Sequence, residues 1–199
     1  MVGIIDYGAG NLYSVEKAVA KYADVVVSGD AAVLEKADKL LLPGVGEFGA
    51  CMRSLRAAKL IPFIMDSITK KELLGICVGM QILFEGSEES PSEKGLGIFK
   101  GTVKKIDSKG LKIPHMAWNS LEFPESRHKL FNSLAPTPYV YYVHSYHAVP
   151  DDASLILATS NYGENVTAAV GKGNIVATQF HPEKSGDVGL KIIENFVKG

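Results

Sequence analysis

The first half of the chain alternates short apolar runs with segments of helical periodicity. The apolar runs predict strands over residues 2–5, 25–27, 39–42 and 73–76. The periodic segments predict helices over 12–22, 48–60 and 78–84, with a further helix starting at residue 61 and Asn11 as the cap of the first. This order of elements is typical of a parallel sheet with helices on its faces.

After Glu85 the helical periods nearly vanish, and loops rich in glycine and serine separate runs of β composition. These runs predict strands over 99–106, 119–123, 139–143, 155–159, 166–170 and 175–180. An amphipathic helix over 188–197 follows them. We therefore expect one α/β domain over residues 1–199, with a mostly parallel central sheet, flanking helices and a β-rich second half.

Composition narrows the function classes. The 199 residues are 46% hydrophobic and 22% charged, with a net charge of -1, which is typical of a globular protein and disfavours nucleic-acid binding. The apolar runs fall far short of the roughly 20 residues that span a bilayer, and no secretory signal follows Met1, so we expect a cytoplasmic protein. Cys51 and Cys77 form no Cys-x-x-Cys pair, so neither a disulfide nor a zinc site is expected.

The strongest chemical signal is the run Gly75-Ile76-Cys77-Val78-Gly79 between a predicted strand and a predicted helix. Glycines on both sides let strand and helix pack closely around a nucleophile exposed on a sharp turn. The helix N-terminus favours the thiolate of Cys77, and the Val78 N–H can donate to a developing oxyanion. The alternative is a buried core cysteine, which is the interpretation we prefer for Cys51.

A cysteine nucleophile needs a base, and His181 is the histidine that comes with its own partner. In extended backbone, residues 181 and 183 project to the same side, so Glu183 can hydrogen-bond one ring nitrogen of His181 and fix its tautomer. The alternative is that His181 only ends a strand and Glu183 lies on the surface. His144 and His147 lack a third metal ligand, so we prefer a substrate wall or packing for them.

Two glycine turns follow predicted strands. Val45 and Gly46, after the third strand, can bring backbone N–H groups to an oxyanion, although an ordinary turn fits equally well. Gly8 and Gly10, with Asp30 farther along, match part of a dinucleotide-binding fingerprint but lack its third glycine. The acidic loop over 85–93 is interpreted as solvated surface.

Taken together, these motifs resemble the class I glutamine amidotransferases. The cysteine turn with Gln81, joined to Phe-His-Pro-Glu at 180–183, indicates the class. A narrower similarity to the glutaminase subunits of imidazole glycerol phosphate synthase rests on 6–12, 43–46, 114–119, 142–146 and 181–185. It covers essentially the whole chain and departs from the expected pattern at Ala117, where glycine is expected, and in a short lead before the first strand.

The resemblance implies that Cys77 attacks the side-chain amide of glutamine, that His181 protonates the departing ammonia and that Glu183 orients His181. Backbone N–H groups of Val78 and of Val45 or Gly46 are then the oxyanion donors. Gln81, Glu89, Ser145 and Tyr146 are the implied contacts of the substrate's amino and carboxylate groups. No metal or cofactor is expected.

The family also implies a cyclase partner with a (β/α)8 barrel, which uses the ammonia to form imidazole glycerol phosphate and the by-product AICAR. Asn11, Trp118 and Lys184 are the expected contact residues, and we expect low glutaminase activity until the partner binds. The alternatives are a glutaminase for another synthase, such as pyridoxal phosphate synthase, a cysteine peptidase or thiol-dependent protective protein, and a nucleotide-binding module.

Overall fold

The computed structural model describes all residues from 1 to 199. Its first half alternates strands and helices. In chain order these are β1 (Val2–Ile5), α1 (Leu12–Val19), β2 (Val25–Ser28), α2 (Ala31–Leu34), β3 (Lys39–Gly44), α3 (Phe48–Ala57), α4 (Ile61–Ser67), β4 (Glu72–Cys77) and α5 (Val78–Gln81).

The second half consists mainly of strands. They are β5 (Gly86–Ser87), β6 (Gly101–Lys105), β7 (His115–Ser120), β8 (Tyr139–His144), β9 (Tyr146–Pro150), β10 (Ile156–Tyr162), β11 (Glu164–Lys172) and β12 (Ile175–Thr178), followed by α6 (Gly186–Lys198). Short 3-10 helices lie at Lys129–Phe131, Ala153–Leu155 and Pro182–Lys184. None of the helices combines the length and the apolar character needed to cross a bilayer.

A seven-stranded sheet with the order β10-β11-β12-β4-β3-β1-β2 forms the centre of the molecule. Strands β2, β1, β3, β4 and β12 run parallel, and β11 and β10 add an antiparallel edge. A three-stranded sheet (β5-β6-β9) and a two-stranded sheet (β7-β8) lie beside it. The predicted fold class, α/β with a mostly parallel central sheet and a β-rich second half, is confirmed.

Burial explains the central position of the parallel strands. All four residues of β1 and all four of β12 are buried, as expected for strands that carry helices on both faces of a sheet. The last helix, α6, buries Gly189, Ile192, Ile193 and Phe196 on one face. The sheet therefore provides a rigid base from whose carboxyl edge the loops project.

Several predicted elements differ from the observed ones. Helix α5 ends at Gln81, not at residue 84, because the carbonyls of Ile82 and Leu83 accept hydrogen bonds from the loop at 96–99. The strand predicted over 119–123 lies instead at His115–Ser120, and β9 was not predicted. Asn11 occupies the N-cap position of α1, as predicted, but its side chain makes no capping hydrogen bond.

Candidate active site

Cys77 ends β4 and immediately precedes α5, and its backbone is strained. Its φ of 55° and ψ of -113° lie in a region that residues with a side chain rarely adopt. Such strain persists only where the surrounding structure imposes it. The sharp turn predicted from sequence is thus present. Because α5 is a single turn of four residues, it offers little of the dipole that we expected to favour the thiolate.

The flanking glycines make this turn possible. A Cβ placed on Gly79 would lie 1.8 Å from the carbonyl oxygen of Leu42, and one on Gly75 would lie 2.9 Å from the carbonyl oxygen of Gly79. Neither contact can be accommodated by side-chain motion, because both involve backbone atoms. The two glycines therefore let β4, α5 and β3 pack at backbone distance around Cys77.

His181 reaches Cys77 because β12 lies next to β4 in the sheet. The two strands are parallel, with Ala177 opposite Gly75 and Thr178 opposite Ile76, so their carboxyl ends lie side by side. The backbone N–H of His181 donates to the carbonyl of Tyr141 at 3.0 Å, which fixes the segment after β12. A residue about a hundred positions away in sequence is thereby placed beside the cysteine.

Glu183 accepts a hydrogen bond from Nδ1 of His181 at 2.8 Å, and both side chains are almost completely buried. The predicted partnership is present, but its predicted backbone geometry is wrong. Residues 182–184 form a 3-10 helix instead of an extended strand, and this turn brings Glu183 back under the ring. Nε2 of His181 has no hydrogen-bond partner and is therefore the ring nitrogen left for proton exchange.

The charge state of His181 follows from its neighbours. Burial alone would lower the pKa of His181, but the adjacent Cys77 sulfur and the hydrogen-bonded Glu183 carboxylate raise it to about 9. A pKa of about 9 favours the protonated imidazole at neutral pH. This arrangement suits an imidazolium that stabilises a thiolate and can give up its Nε2 proton.

A cavity of about 470 Å³ opens above these residues. Eleven of the predicted site residues line it: Asn11, Val45, Gly46, Cys77, Val78, Gln81, Glu89, Ser145, Tyr146, His181 and Lys184. Glu183 lies behind His181, and Trp118 lies on the surface with 53% of its area exposed. The structure therefore brings the sequence-predicted residues together at one opening, with Trp118 outside the cavity wall.

The loop after β3 forms one wall of the cavity and is held from behind. Tyr7 donates its hydroxyl to the carbonyl of Pro43 at 2.7 Å, and the Cys51 thiol donates to the carbonyl of Val45 at 3.4 Å. Gly46 has a φ of +90°, which favours glycine. Cys51 is buried, as predicted, but it also anchors this loop, a contact that the sequence did not reveal.

The acidic loop over 85–93 is only in part the solvated surface that was predicted. Glu89 lines the cavity while its carboxylate accepts from the N–H of Phe48 at 2.9 Å, at the start of α3. Glu85 accepts from the N–H of Gly101, and Glu93 forms salt bridges with two arginines of α3. These carboxylates fix the loop against the body of the protein.

Two further polar residues lie at the site: His144, for which a substrate wall or packing was preferred, and Gln179, which was not predicted. His144 lines the cavity and bonds the Tyr146 carbonyl through Nδ1 at 2.8 Å. Gln179 is fully buried, with Nε2 at 3.8 Å from the Cys77 sulfur. In extended backbone, residues 179 and 181 project to the same side. The sequence therefore did carry a signal that Gln179 lies near the site.

The other polar candidates make structural contacts. His147 accepts a hydrogen bond from the N–H of Thr167 and approaches Glu164, which is the packing role preferred for it. Asp30, the acidic residue of the partial dinucleotide motif, caps α2 by accepting from the N–H of Ala32. The described residues contain no group of three or more His, Cys, Asp and Glu side chains placed to hold a metal ion.

Comparison with known proteins agrees with this geometry. Residues 3–199 match the model of the family described as glutamine amidotransferase class-I. The chain is 49% identical over 199 residues to imidazole glycerol phosphate synthase subunit HisH of Methanocaldococcus jannaschii, covering 100% of this chain and 99% of that protein. It is 46% identical over 203 residues to the protein of the same name from Geobacillus sp., covering 98% and 95%.

Solved structures with lower identity share the fold. A crystal structure described as glutamine amidotransferase superimposes with a TM-score of 0.75 at 18% identity, covering 98% of this chain and 98% of that one. PurLQS from Thermotoga maritima gives 0.74 at 20% identity, covering 98% and 96%. Because the family model matches nearly the entire length of this chain, the chain belongs to the class I glutamine amidotransferases.

Proposed function

We propose that this chain is the glutaminase subunit of an imidazole glycerol phosphate synthase and forms one catalytic domain over residues 1–199. It hydrolyses L-glutamine to glutamate and ammonia. The observation that carries this proposal is that Cys77 and the His181–Glu183 pair meet at one cavity. The full-length identity to subunits of that name favours this synthase over pyridoxal phosphate synthase or another ammonia-using enzyme.

In the first step, the Cys77 thiolate attacks the carbon of the side-chain amide. The amide oxygen takes up negative charge, and the N–H of Val78 together with that of Val45 or Gly46 stabilises it. Each such donor contributes about 3 kcal/mol in comparable acyl-transfer sites. His181 then gives its Nε2 proton to the departing nitrogen, and ammonia leaves behind a thioester on Cys77.

In the second step, neutral His181 removes a proton from water, which attacks the thioester. Glutamate leaves, and the thiolate and imidazolium are restored. Glu183 keeps the Nδ1 hydrogen in place throughout, so Nε2 remains the nitrogen that exchanges protons. No metal or cofactor takes part in this scheme.

The far end of the cavity holds the substrate's α-amino and α-carboxylate groups. Gln81, Glu89, Ser145 and Tyr146 line the cavity and supply side-chain and backbone hydrogen-bonding groups. The carboxylate of Glu89 already accepts one hydrogen bond from Phe48, and a carboxylate has capacity to accept an ammonium as well.

The partner is a cyclase subunit with a (β/α)8 barrel that consumes the ammonia to form imidazole glycerol phosphate and AICAR. Ammonia released into water becomes protonated and loses its nucleophilicity, so a closed route to the second site is useful. Asn11 and Lys184 lie at the cavity, and Trp118 is exposed beyond it. We assign these residues to the docking face and place the reaction in the cytoplasm.

The deciding experiment measures glutamate and ammonia while the chain is titrated with its cyclase subunit. We expect glutamine hydrolysis to be low for the chain alone and to rise as the complex forms. Cys77→Ala should abolish hydrolysis while circular dichroism stays unchanged, whereas Cys51→Ala serves as the thiol control and should retain the larger part of the activity. Hydrolysis by Cys77→Ala at the wild-type rate would contradict the proposal.

A Trp118→Ala variant tests the docking face separately. Trp118 lies outside the cavity, so the basal glutaminase activity should stay unchanged, while more cyclase subunit should be needed for half-maximal stimulation. Met116 lies on the same strand with 60% of its area exposed, so the titration of Met116→Ala is compared with that of Trp118→Ala. An unchanged titration curve for Trp118→Ala would remove this residue from the proposed interface.

A further inference from the structure

Gln179 lies between β12 and His181 and is fully buried. Its backbone N–H donates to the carbonyl of Ala168 at 2.8 Å, so its position is fixed by the sheet. Its side chain points to the cysteine, with Nε2 at 3.8 Å from the sulfur of Cys77. Because buried polar groups are hydrogen-bonded in folded proteins, the oxygen and the nitrogen of this amide each need a partner.

The orientation of this amide follows from a chain of hydrogen bonds that begins at a backbone carbonyl. The carbonyl of Tyr146 can only accept, so the Gln81 atom at 3.0 Å from it must be the nitrogen, Nε2. The second hydrogen of that nitrogen points to Gln179 at 3.1 Å, and only the oxygen Oε1 of Gln179 can accept it. The nitrogen of Gln179 is then left facing the sulfur.

The reverse orientation is disfavoured at both ends. Turning the Gln179 amide would set its N–H groups against those of Gln81 and its oxygen against the sulfur of Cys77. When the sulfur is a thiolate, the second contact becomes a repulsion between an anion and a carbonyl dipole. The observed orientation instead offers the anion an N–H donor, and hydrogen bonds to charged partners are stronger than neutral ones.

We propose that Gln179 donates a hydrogen bond to the Cys77 thiolate and thereby shares with His181 the stabilisation of the charged nucleophile. This inference rests on the proposed role of Cys77. Gln81 fixes the direction of the Gln179 amide and also lines the cavity. The same series of hydrogen bonds therefore links the proposed binding region for the substrate's α-carbon to the reacting sulfur.

The test follows the alkylation of Cys77 by iodoacetamide as a function of pH in the full-length chain. Mass spectrometry of the digested protein scores Cys77 and Cys51 separately. Gln179→Met removes the donor at nearly constant volume. Gln179→Glu keeps an oxygen for Gln81 but replaces the donor by a second oxygen. Thr178→Val is the matched control, since Thr178 is equally buried but donates to the carbonyl of Phe180 and not to the sulfur.

We expect the inflection of the alkylation profile to move up by about one pH unit in Gln179→Met, which makes alkylation about tenfold slower below the inflection. Gln179→Glu should move it at least as far, whereas Thr178→Val should keep the wild-type profile. Equal inflections in wild type and both Gln179 variants would overturn the proposal. An equal rise in Thr178→Val would overturn it too, because loss of any buried hydrogen bond would then be sufficient.

The outcomes separate this inference from the proposed function. If Gln179→Met fails to fold by circular dichroism, Gln179→Glu decides alone, because it has the same shape and keeps the contact with Gln81. Full glutaminase activity of Cys77→Ala would reject the proposed function, whatever the alkylation profiles are. An inactive Cys77→Ala with unchanged profiles would reject the role of Gln179 only.

Discussion

The proposed nucleophile and the proposed base of this site are positioned by different means. Cys77 is fixed by backbone packing, because the glycines on both sides let its turn lie at backbone distance from the carbonyl of Leu42. The His181 backbone is hydrogen-bonded to Tyr141, but its ring is oriented by a side chain, since Glu183 holds Nδ1. The hydroxyl of Ser185 also donates to the His181 carbonyl at 2.7 Å. A position imposed by backbone contact tolerates no added atom, whereas one imposed by side chains responds gradually to each lost hydrogen bond.

The most severe effect is expected at the backbone-packed turn. Gly79→Ala places a methyl group 1.8 Å from the carbonyl oxygen of Leu42, so β3 and α5 must separate. We expect a loss of stability of about 3 kcal/mol or more, together with loss of glutaminase activity. Urea denaturation measures the first and glutamate release the second.

Gly86→Ala is the control for this substitution. The nearest atom to a Cβ on Gly86 is 3.9 Å away, so Gly86→Ala should unfold at nearly the same urea concentration as the wild type. A Gly79→Ala protein with wild-type stability would show that the turn can relax and that backbone packing does not fix Cys77.

The side-chain-held base should give a graded response. In Glu183→Gln the ring loses the carboxylate that helps to raise its pKa to about 9, so the pKa of His181 moves down. A raised pKa means that the imidazolium persists below about pH 9 and is lost above it, and the alkaline decline of kcat/KM should therefore shift to lower pH in the variant. We also expect kcat to fall by about 100-fold.

Glu194→Gln serves as the matched carboxylate control, because Glu194 pairs only with Lys191 and Lys198 on the surface of α6. Its pH profile should coincide with that of the wild type. An alkaline decline that stays in place in Glu183→Gln would mean that Glu183 does not set the charge of His181.

The smallest effect concerns the strain at Cys77 itself. Glycine adopts the φ of 55° without cost, so Cys77→Gly should be more stable than Cys77→Ala by about 1 kcal/mol, although both are inactive. Cys51 provides the opposite case, since it lies in the regular helix α3. There the glycine variant should be less stable than the alanine variant by about 1 kcal/mol. If the glycine variant were less stable than the alanine variant at both positions, strain at Cys77 would be contradicted.

The sequence predicted those parts of the fold that depend on local pattern. The parallel strands appear as apolar runs, and the turn at Cys77 appears as glycines at fixed spacing, so both were predictable. The end of α5 was not, because the carbonyls of Ile82 and Leu83 are taken by residues that follow a long loop. Strand β7 was misplaced because its exposed face carries Met116 and Trp118, which obscure the polar alternation.

The site was predictable where chemistry and chain neighbours coincide, as in His181 with Glu183. The contact of Cys51 with the Val45 carbonyl depends on how α3 folds back, and no spacing in the sequence encodes it. The capping of α3 by Glu89 is likewise a long-range contact. Tertiary hydrogen bonds of this kind become visible only when the elements are assembled.

The pairing of β12 with β4 has a consequence for synthesis. Cys77 is added to the growing chain when fewer than half of the 199 residues have been made, but its proposed base, His181, follows the last strand of the sheet. A nascent chain therefore holds the thiol without its base until the C-terminal segment has joined the sheet, and it cannot complete the proposed hydrolysis before then.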